Sequence, residues 1–319
     1  MGKNITLKGH SSFGIREGWL TKGIAAVSEN PLLFSKENND GADILGVGSA
    51  MAKAIRYWLI VTGLAESYYE TVNGKKRSLI RLTELGKMVY ELGKMVYEHD
   101  MYMENTGTLW ALHYNLATNY EGATVWSVFF NTFENEKFSR AGMSEIIYEI
   151  LCKNLDEEEI AVKSLENDCS VLLQMYVGEH AANTDPEDKA HCPFMELDII
   201  SKRRNQYKRE YVRADRIDAL IVFFAIRKYL DRNMDENLTD KERESVSIEN
   251  LLSAPDSPGR IFGLDRITLN DNLDTLEERG YIHIDRTAGL DTVYITENAP
   301  DSADKIMQIH YKGKLKDET

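Results

Sequence analysis

Cysteine is scarce in this chain: Cys152, Cys169 and Cys192 are the three among 319 residues. An odd number at wide spacings builds no disulfide framework and fits a reducing cytoplasm. Long apolar runs are missing as well. No stretch of about 18 apolar residues occurs, which predicts no membrane-spanning helix, and residues 1–7 hold no apolar signal core. Positive charge is outnumbered, with 38 Lys and Arg against 52 Asp and Glu and a net charge of −14. That balance excludes bulk coating of nucleic acid or anionic membrane, so any polyanion contact must come from local basic patches. Catalytic signatures are also lacking. Gly46 and Gly48 open no dinucleotide fingerprint, and neither a phosphate loop ending in Gly-Lys-Ser/Thr nor a His-Glu-x-x-His run is present. Cys169, His180, His191 and Cys192 have spacings that match no zinc ribbon or finger.

What is present begins at residue 43. A glycine-rich turn leads into a helix with Ser49 as its expected N-cap, and Met51, Ile55, Trp58 and Thr62 fall at helical spacing as an expected buried stripe. Ser49, Lys53 and Arg56 recur on the opposite side, with Tyr57 beside them, and Gly63 ends the helix. Two β-rich runs follow, joined by Asn73-Gly74, a strong two-residue hairpin signal, with Lys75, Lys76 and Arg77 next to the turn. Turn, helix and basic two-stranded wing in that order predict a winged helix-turn-helix. One helix face would anchor in the core, the other would offer short polar and cationic groups to a groove, and the wing would meet phosphates. Nucleic acid is thus the first expected partner; a winged helix that serves only protein docking is the alternative.

Three domains are expected: an N-terminal winged helix-turn-helix domain over 1–100, a helical middle domain over 101–232, and a C-terminal winged-helix-like domain over 233–319. The fold class is mainly α with small β-hairpins. In the first domain residues 17–27 are helical in pattern, and Glu-Leu-Gly-Lys-Met-Val-Tyr occurs twice in tandem at 84–90 and 91–97, lengthening one helix with an apolar stripe of Leu85, Met88, Leu92, Met95 and Val96. In the middle, Trp110, Leu112, Leu116, Val125, Trp126, Val128, Phe129, Phe130 and Phe133 supply a core. Ile146, Ile147, Ile150 and Leu151 form another apolar face, 156–159 a helix first turn, and 183–190 a polar loop. Lys202, Arg203, Arg204, Lys208 and Arg209 then form the most basic segment of the chain, expected to extend a DNA path or contact an acidic partner surface. Ile217, Leu220, Ile221, Phe224 and Ile226 point inward from a further helix, and 231–246 is the expected linker. The last domain repeats the pattern: Ile248, Leu251 and Leu252 begin it, a helix over 264–279 turns Ile267, Leu273 and Leu276 inward, and a hairpin closes around Ala288-Gly289. Its helix carries more Asp and Glu than Arg, which repels phosphates and points to docking or homodimer formation.

No catalytic group stands out. The segment His10–Lys22 packs His10, Arg16, Glu17, Trp19 and Lys22 together, and His10, Arg16 and Glu17 are the candidates for acid–base work on a phosphodiester or for holding a phosphate. The bland reading makes Trp19 core and Arg16 and Lys22 surface charge.

Residues 13–23, Phe-Gly-Ile-Arg-Glu-Gly-Trp-Leu-Thr-Lys-Gly, and 45–59, Leu-Gly-Val-Gly-Ser-Ala-Met-Ala-Lys-Ala-Ile-Arg-Tyr-Trp-Leu, carry a resemblance. They resemble a bacterial family of otherwise unassigned function found in DNA phosphorothioation gene clusters, whose members include the single-strand nicking component of the Ssp-type system. The resemblance implies a DNA-binding role in phosphorothioate modification or phage defence, possible nicking activity with Mg²⁺ or Mn²⁺ as cofactor, and partnership with an ATPase and a sulfurtransferase. The alternative from another class is a non-catalytic winged-helix DNA-binding adaptor or transcriptional regulator. No family catalytic residue maps onto this sequence, and the tandem seven-residue copy departs from the family pattern.

Overall fold

The computed structural model describes residues 4–35, 38, 41–72, 74–95, 103, 105–154, 160–178, 191–233, 244–287 and 291–317, excepting the side chains of residues 72, 75, 92–95, 154 and 314–317. Asn73, the 156–159 turn, His180, the 183–190 loop, most of the 231–246 linker, Ala288-Gly289 and the end of the tandem repeat lie outside them. The described chain is mainly helical, with three small antiparallel sheets, and divides into two units, Met1–Lys208 and Arg209–Thr319.

In the first unit α1 (Trp19–Glu29) lies across α3 (Ser49–Val61). The two approach closely at Gly23, where an added Cβ would stand 2.8 Å from Leu59 Cδ1. Helix α1 starts at Trp19 rather than Glu17, because Gly18 with φ 77° turns the chain just before it. A short α2 (Ala42–Leu45) ends at Gly46, whose φ of 61° suits glycine. The N-cap of α3 is Gly48, not Ser49, and the buried side of α3 is Ala52, Ile55, Trp58, Leu59 and Thr62, with Met51 only half-buried. Ala52 is fully buried, although hydrophobicity alone ranks it below Met51.

Strands β1 (Ala65–Val72) and β2 (Lys75–Leu82) pair antiparallel, from Ala65 opposite Leu82 out to Val72 opposite Lys75. Helix α4 (Glu84–Met95) holds the first repeat copy; Leu85 and Val89 face inward, and Gly86 sits where a Cβ would lie 1.9 Å from the Leu64 carbonyl oxygen.

The core lies among α5 (Thr106–Ala117), α6 (Thr124–Asn131), α7 (Arg140–Asn154) and α8 (Val162–Val177), with Trp110, Trp126, Phe129, Phe130 and Phe133 fully buried. On α7 the buried stripe is Met143, Ile147 and Leu151, with Ile146 and Ile150 half-buried. The middle of the chain is not purely helical. Strands β3 (Lys137–Phe138), β4 (Ile200–Arg203) and β5 (Gln206–Arg209) form a sheet in the order β3-β5-β4, closed by Phe138 stacked on Tyr207 at 5.7 Å.

In the second unit α9 (Ala219–Arg232) packs along α13 (Ala303–Asp317). Strand β6 (Ser245–Ser247) leads into short helices α10 (Ile248–Ser253) and α11 (Pro258–Phe262), then α12 (Arg266–Glu278), and β7 (Ile282–Asp285) and β8 (Thr292–Ile295) complete a sheet in the order β6-β8-β7. Asp265 caps α12 by accepting from the Thr268 N–H at 2.7 Å, which sets its start at Arg266. Leu269, Leu273 and Leu276 are buried, whereas Ile267, expected inward, is 71% exposed, because at helical spacing it falls on the side of the helix opposite those three.

Candidate nucleic-acid interface

Two sides of the β1–β2 hairpin follow from its register. Alternate residues share a face, so Glu66, Tyr68, Glu70, Arg77, Leu79 and Arg81 lie on one side and Ser67, Tyr69, Thr71, Lys76, Ser78 and Ile80 on the other. The first side sets two carboxylates, Glu66 and Glu70, among its cations. Arg81 Nε donates to Glu66 Oε1 across the strands at 2.6 Å, and Arg77 stands opposite Glu70. The second side has no carboxylate along the paired strands.

The carboxylate-free side is the one that meets α3. Arg56, half-buried, donates from Nη2 to Ser67 Oγ at 3.1 Å. Ser49 and Lys53 are exposed further up the same helix. Two residues beyond Ser67, Tyr69 is exposed with the Lys76 ammonium 4.8 Å over its ring. A row of polar and cationic groups therefore runs from the start of α3 to the hairpin. At its upper end α1 contributes Lys22, whose Nζ lies 3.8 Å from where a Gly46 Cβ would stand. The side chain of Lys75 lies outside the described residues; its backbone places it on the Glu66–Glu70 side, together with Arg77.

Tyr57 turns the other way. Its hydroxyl donates to the Gly122 carbonyl at 2.9 Å, and burial, with Asp168 adding to it, pushes the phenol far above its usual range. Gly9 makes room for the ring, since a Cβ there would come within 2.4 Å of Tyr57 Cε2.

His10 is fully buried. Its Nε2 donates to Asp168 Oδ1 at 2.9 Å, and its ring stacks on Trp58 at 5.5 Å and meets Trp126 edge-on at 5.5 Å. Asp168 also accepts from the Lys8 N–H with both oxygens, at 3.0 and 2.9 Å, and Trp58 Nε1 donates to the Phe13 carbonyl. These bonds tie the segment before α1 to α3 and α8. Arg16 lies over the rings of Phe13 and Trp19, at 5.6 and 5.1 Å, and Glu17 is exposed, with its N–H donating to the His191 carbonyl. The three candidates for acid–base work thus do not converge: His10 is inside, Arg16 stacks on aromatics, and the Glu17 carboxylate faces solvent.

The second basic segment is a hairpin. Lys202, Arg203 and Arg204 are exposed at its end, where Arg204 takes a left-handed φ of 58°. Lys202 Nζ lies 5.4 Å over the Tyr207 ring, and Lys208 pairs with Glu136 at 3.5 Å. Arg209, in the second unit, donates to the Arg260 carbonyl at 3.2 Å; burial, then the Arg260 charge, brings its guanidinium down to about 10. Burial pushes the thiols of Cys169 and Cys192 up to about 12, so both stay neutral at physiological pH, and His191 lies 3.5 Å from Glu196. Among the described residues no three His, Cys, Asp or Glu side chains gather as a metal site. None of the helices of the described residues is long and apolar enough to cross a membrane.

A family model described as a protein of unknown function, DUF4007, matches residues 7–311. The chain belongs to that family. The match runs from the buried N-terminal segment of this DUF4007 protein to α13, and so takes in the whole α3–hairpin face. No curated protein matches the chain. Two solved structures do: an SspB crystal structure, with a TM-score of 0.79, and magnesium ion-bound SspB, with a TM-score of 0.80. Each shows 23% identity and covers 96% of this chain and 88% of the other. At that identity the DUF4007 chain shares the fold of SspB over nearly its full length.

Sequence reasoning missed Ser67 and Tyr69, which stand on the side that meets α3. The alternation that divides the hairpin into two sides was present in the sequence, but which side meets α3 depends on how α3 packs.

Proposed function

We propose that this protein is a DNA-binding component of a bacterial DNA phosphorothioate modification or phage-defence system. In this reading the first unit uses α2, α3 and the β1–β2 hairpin as a winged helix-turn-helix. Ser49, Lys53 and Arg56 enter a groove, Lys22 and Lys76 hold phosphates on either side, and the Lys202–Arg204 hairpin end extends the DNA path or meets an acidic partner such as the system's sulfurtransferase. The observation that carries the reading is the carboxylate-free side of the hairpin continuing the cationic row of α3 in a chain of net charge −14. Such a face binds a polyanion locally while the rest of the surface repels it. The phosphorothioation context rests on the family resemblance and on the fold shared with SspB. Binding of a labelled duplex, measured for the protein and for Lys53→Glu, tests it: the reading requires duplex affinity that falls at least ten-fold in the variant.

A second reading adds strand nicking, supported by the magnesium ion bound to the SspB structure. Mg²⁺ takes carboxylate oxygens and water, and the described residues offer no grouped set of such ligands. No cutting step is therefore derived through a metal, and His10, sealed between Trp58 and Trp126, is assigned to holding the fold. Supercoiled plasmid incubated with the protein in Mg²⁺, in Mn²⁺ and in chelator separates the two readings. Nicked circles formed with the metal alone establish the nickase; DNA binding without nicks establishes the adaptor.

A further inference from the structure

Tyr69 is 68% exposed, an unusual place for a large ring on a paired strand. Packing does not demand it there. Its cross-strand partner is Ser78, which offers no apolar surface, whereas the neighbouring Tyr68 is half-buried opposite the buried Leu79, under Arg81 at 5.0 Å. The Lys76 ammonium stands over the Tyr69 ring, which places a phosphate-seeking cation and an aromatic face side by side. The pair continues the Arg56–Ser67 contact on the side of the hairpin without carboxylates. An exposed aromatic next to a cation is what a strand with unpaired bases requires, because the ring stacks on any base while the cation takes its phosphate.

We propose that Tyr69 is a stacking platform for an unpaired DNA base, so that the α3–hairpin face prefers duplex with a local single-stranded gap over fully paired duplex. This rests on the DNA-binding reading above, and it names the form of DNA preferred. On binding, Lys76 leaves the ring for the phosphate beside the stacked base, and the ring takes the base in its place.

The test uses the full chain, a labelled duplex, and the same duplex with a three-nucleotide gap carrying 2-aminopurine. Affinity is read by anisotropy and stacking by quenching of the 2-aminopurine. Wild type should favour the gapped duplex and quench the probe. Tyr69→Phe should keep both effects. Tyr69→Leu should lose the quenching and weaken gapped binding by about 10-fold relative to fully paired binding. Tyr69 is largely exposed, so both variants should melt as wild type does. If Tyr69→Leu retains the gap preference and the quenching, the proposal is overturned while DNA binding stands. Equal binding of the two duplexes by wild type, without quenching, overturns it in the same way. Absence of binding to either duplex removes the DNA-binding reading and this inference together.

Discussion

Removing the carboxylate of Asp168 should unfasten the segment that leads into α1. In the fold, Asp168 is buried and holds two donors, the His10 Nε2–H and the Lys8 N–H. Asp168→Ala leaves both without an acceptor, and each stranded donor costs about 1–3 kcal/mol, with a total of about 3–5 kcal/mol for breaking a buried charged hydrogen-bond pair. For a unit of this size that lowers the melting temperature by about 10 °C. The assay is direct, because all four tryptophans, Trp19, Trp58, Trp110 and Trp126, lie in the first unit, and Trp58 and Trp126 touch His10. Urea unfolding followed by tryptophan emission therefore reports this unit. Asp168→Asn is the control. Its amide oxygen still accepts from Lys8, and a change of His10 tautomer lets Nε2 accept from the amide, so the loss should fall to about 1–2 kcal/mol. A midpoint for Asp168→Ala within about 1 kcal/mol of wild type would refute the fastening role.

Other predictions follow the same logic. Gly86→Ala should destabilise the first unit by about 3 kcal/mol or more, since the new Cβ meets the Leu64 carbonyl oxygen on backbone that has little room to move; thermal melting that matches wild type would contradict the close approach. In the second unit Asp218 caps α9, accepting from the Leu220 N–H at 2.8 Å. Burial raises its carboxyl, but the His310 ring, the Leu220 N–H and the Arg279 charge outweigh burial and hold it down at about 2. Its folded value thus lies below its unfolded value, so the stability it supplies is present above about pH 4 and is lost as the pH falls towards 2. Asp218→Asn should flatten that acid limb, read by circular dichroism between pH 5 and pH 2. Charge reversal of Arg203 and Arg204 should weaken DNA binding or co-purification with an acidic partner without changing stability, because both are exposed at a hairpin end; no change in either would mark them as plain surface.

Much of the first unit was legible. The helix after Gly48 and the hairpin around residue 74 stand where turn chemistry and period predict them, and the Trp and Phe residues of 110–133 are the core that their density announces. Other features were hidden for physical reasons. His10 looked like a candidate acid or base because its neighbours in sequence are charged, but its partner is Asp168, 158 residues away, and no local pattern records that bond. Tyr57 sits one residue from Arg56 and turns inward because Gly9 opens space for it. The β3-β5-β4 sheet escaped because its strands are two and four residues long and carry Lys and Arg, which weaken the strand signal. The DNA-facing candidates were legible as a basic cluster, yet their division into a side that carries Glu66 and Glu70 and a carboxylate-free side required the register.

That division also sets the most direct test of the account. The salt dependence of duplex binding should be measured for wild type, for Lys22→Ala with Lys76→Ala, and for Arg77→Ala. If DNA lies along α3 and the carboxylate-free side, the double variant loses two phosphate contacts and its slope of log K against log salt shrinks by about 1.8, whereas Arg77→Ala, opposite Glu70, leaves the slope nearly unchanged. A double variant with the wild-type slope would contradict the account.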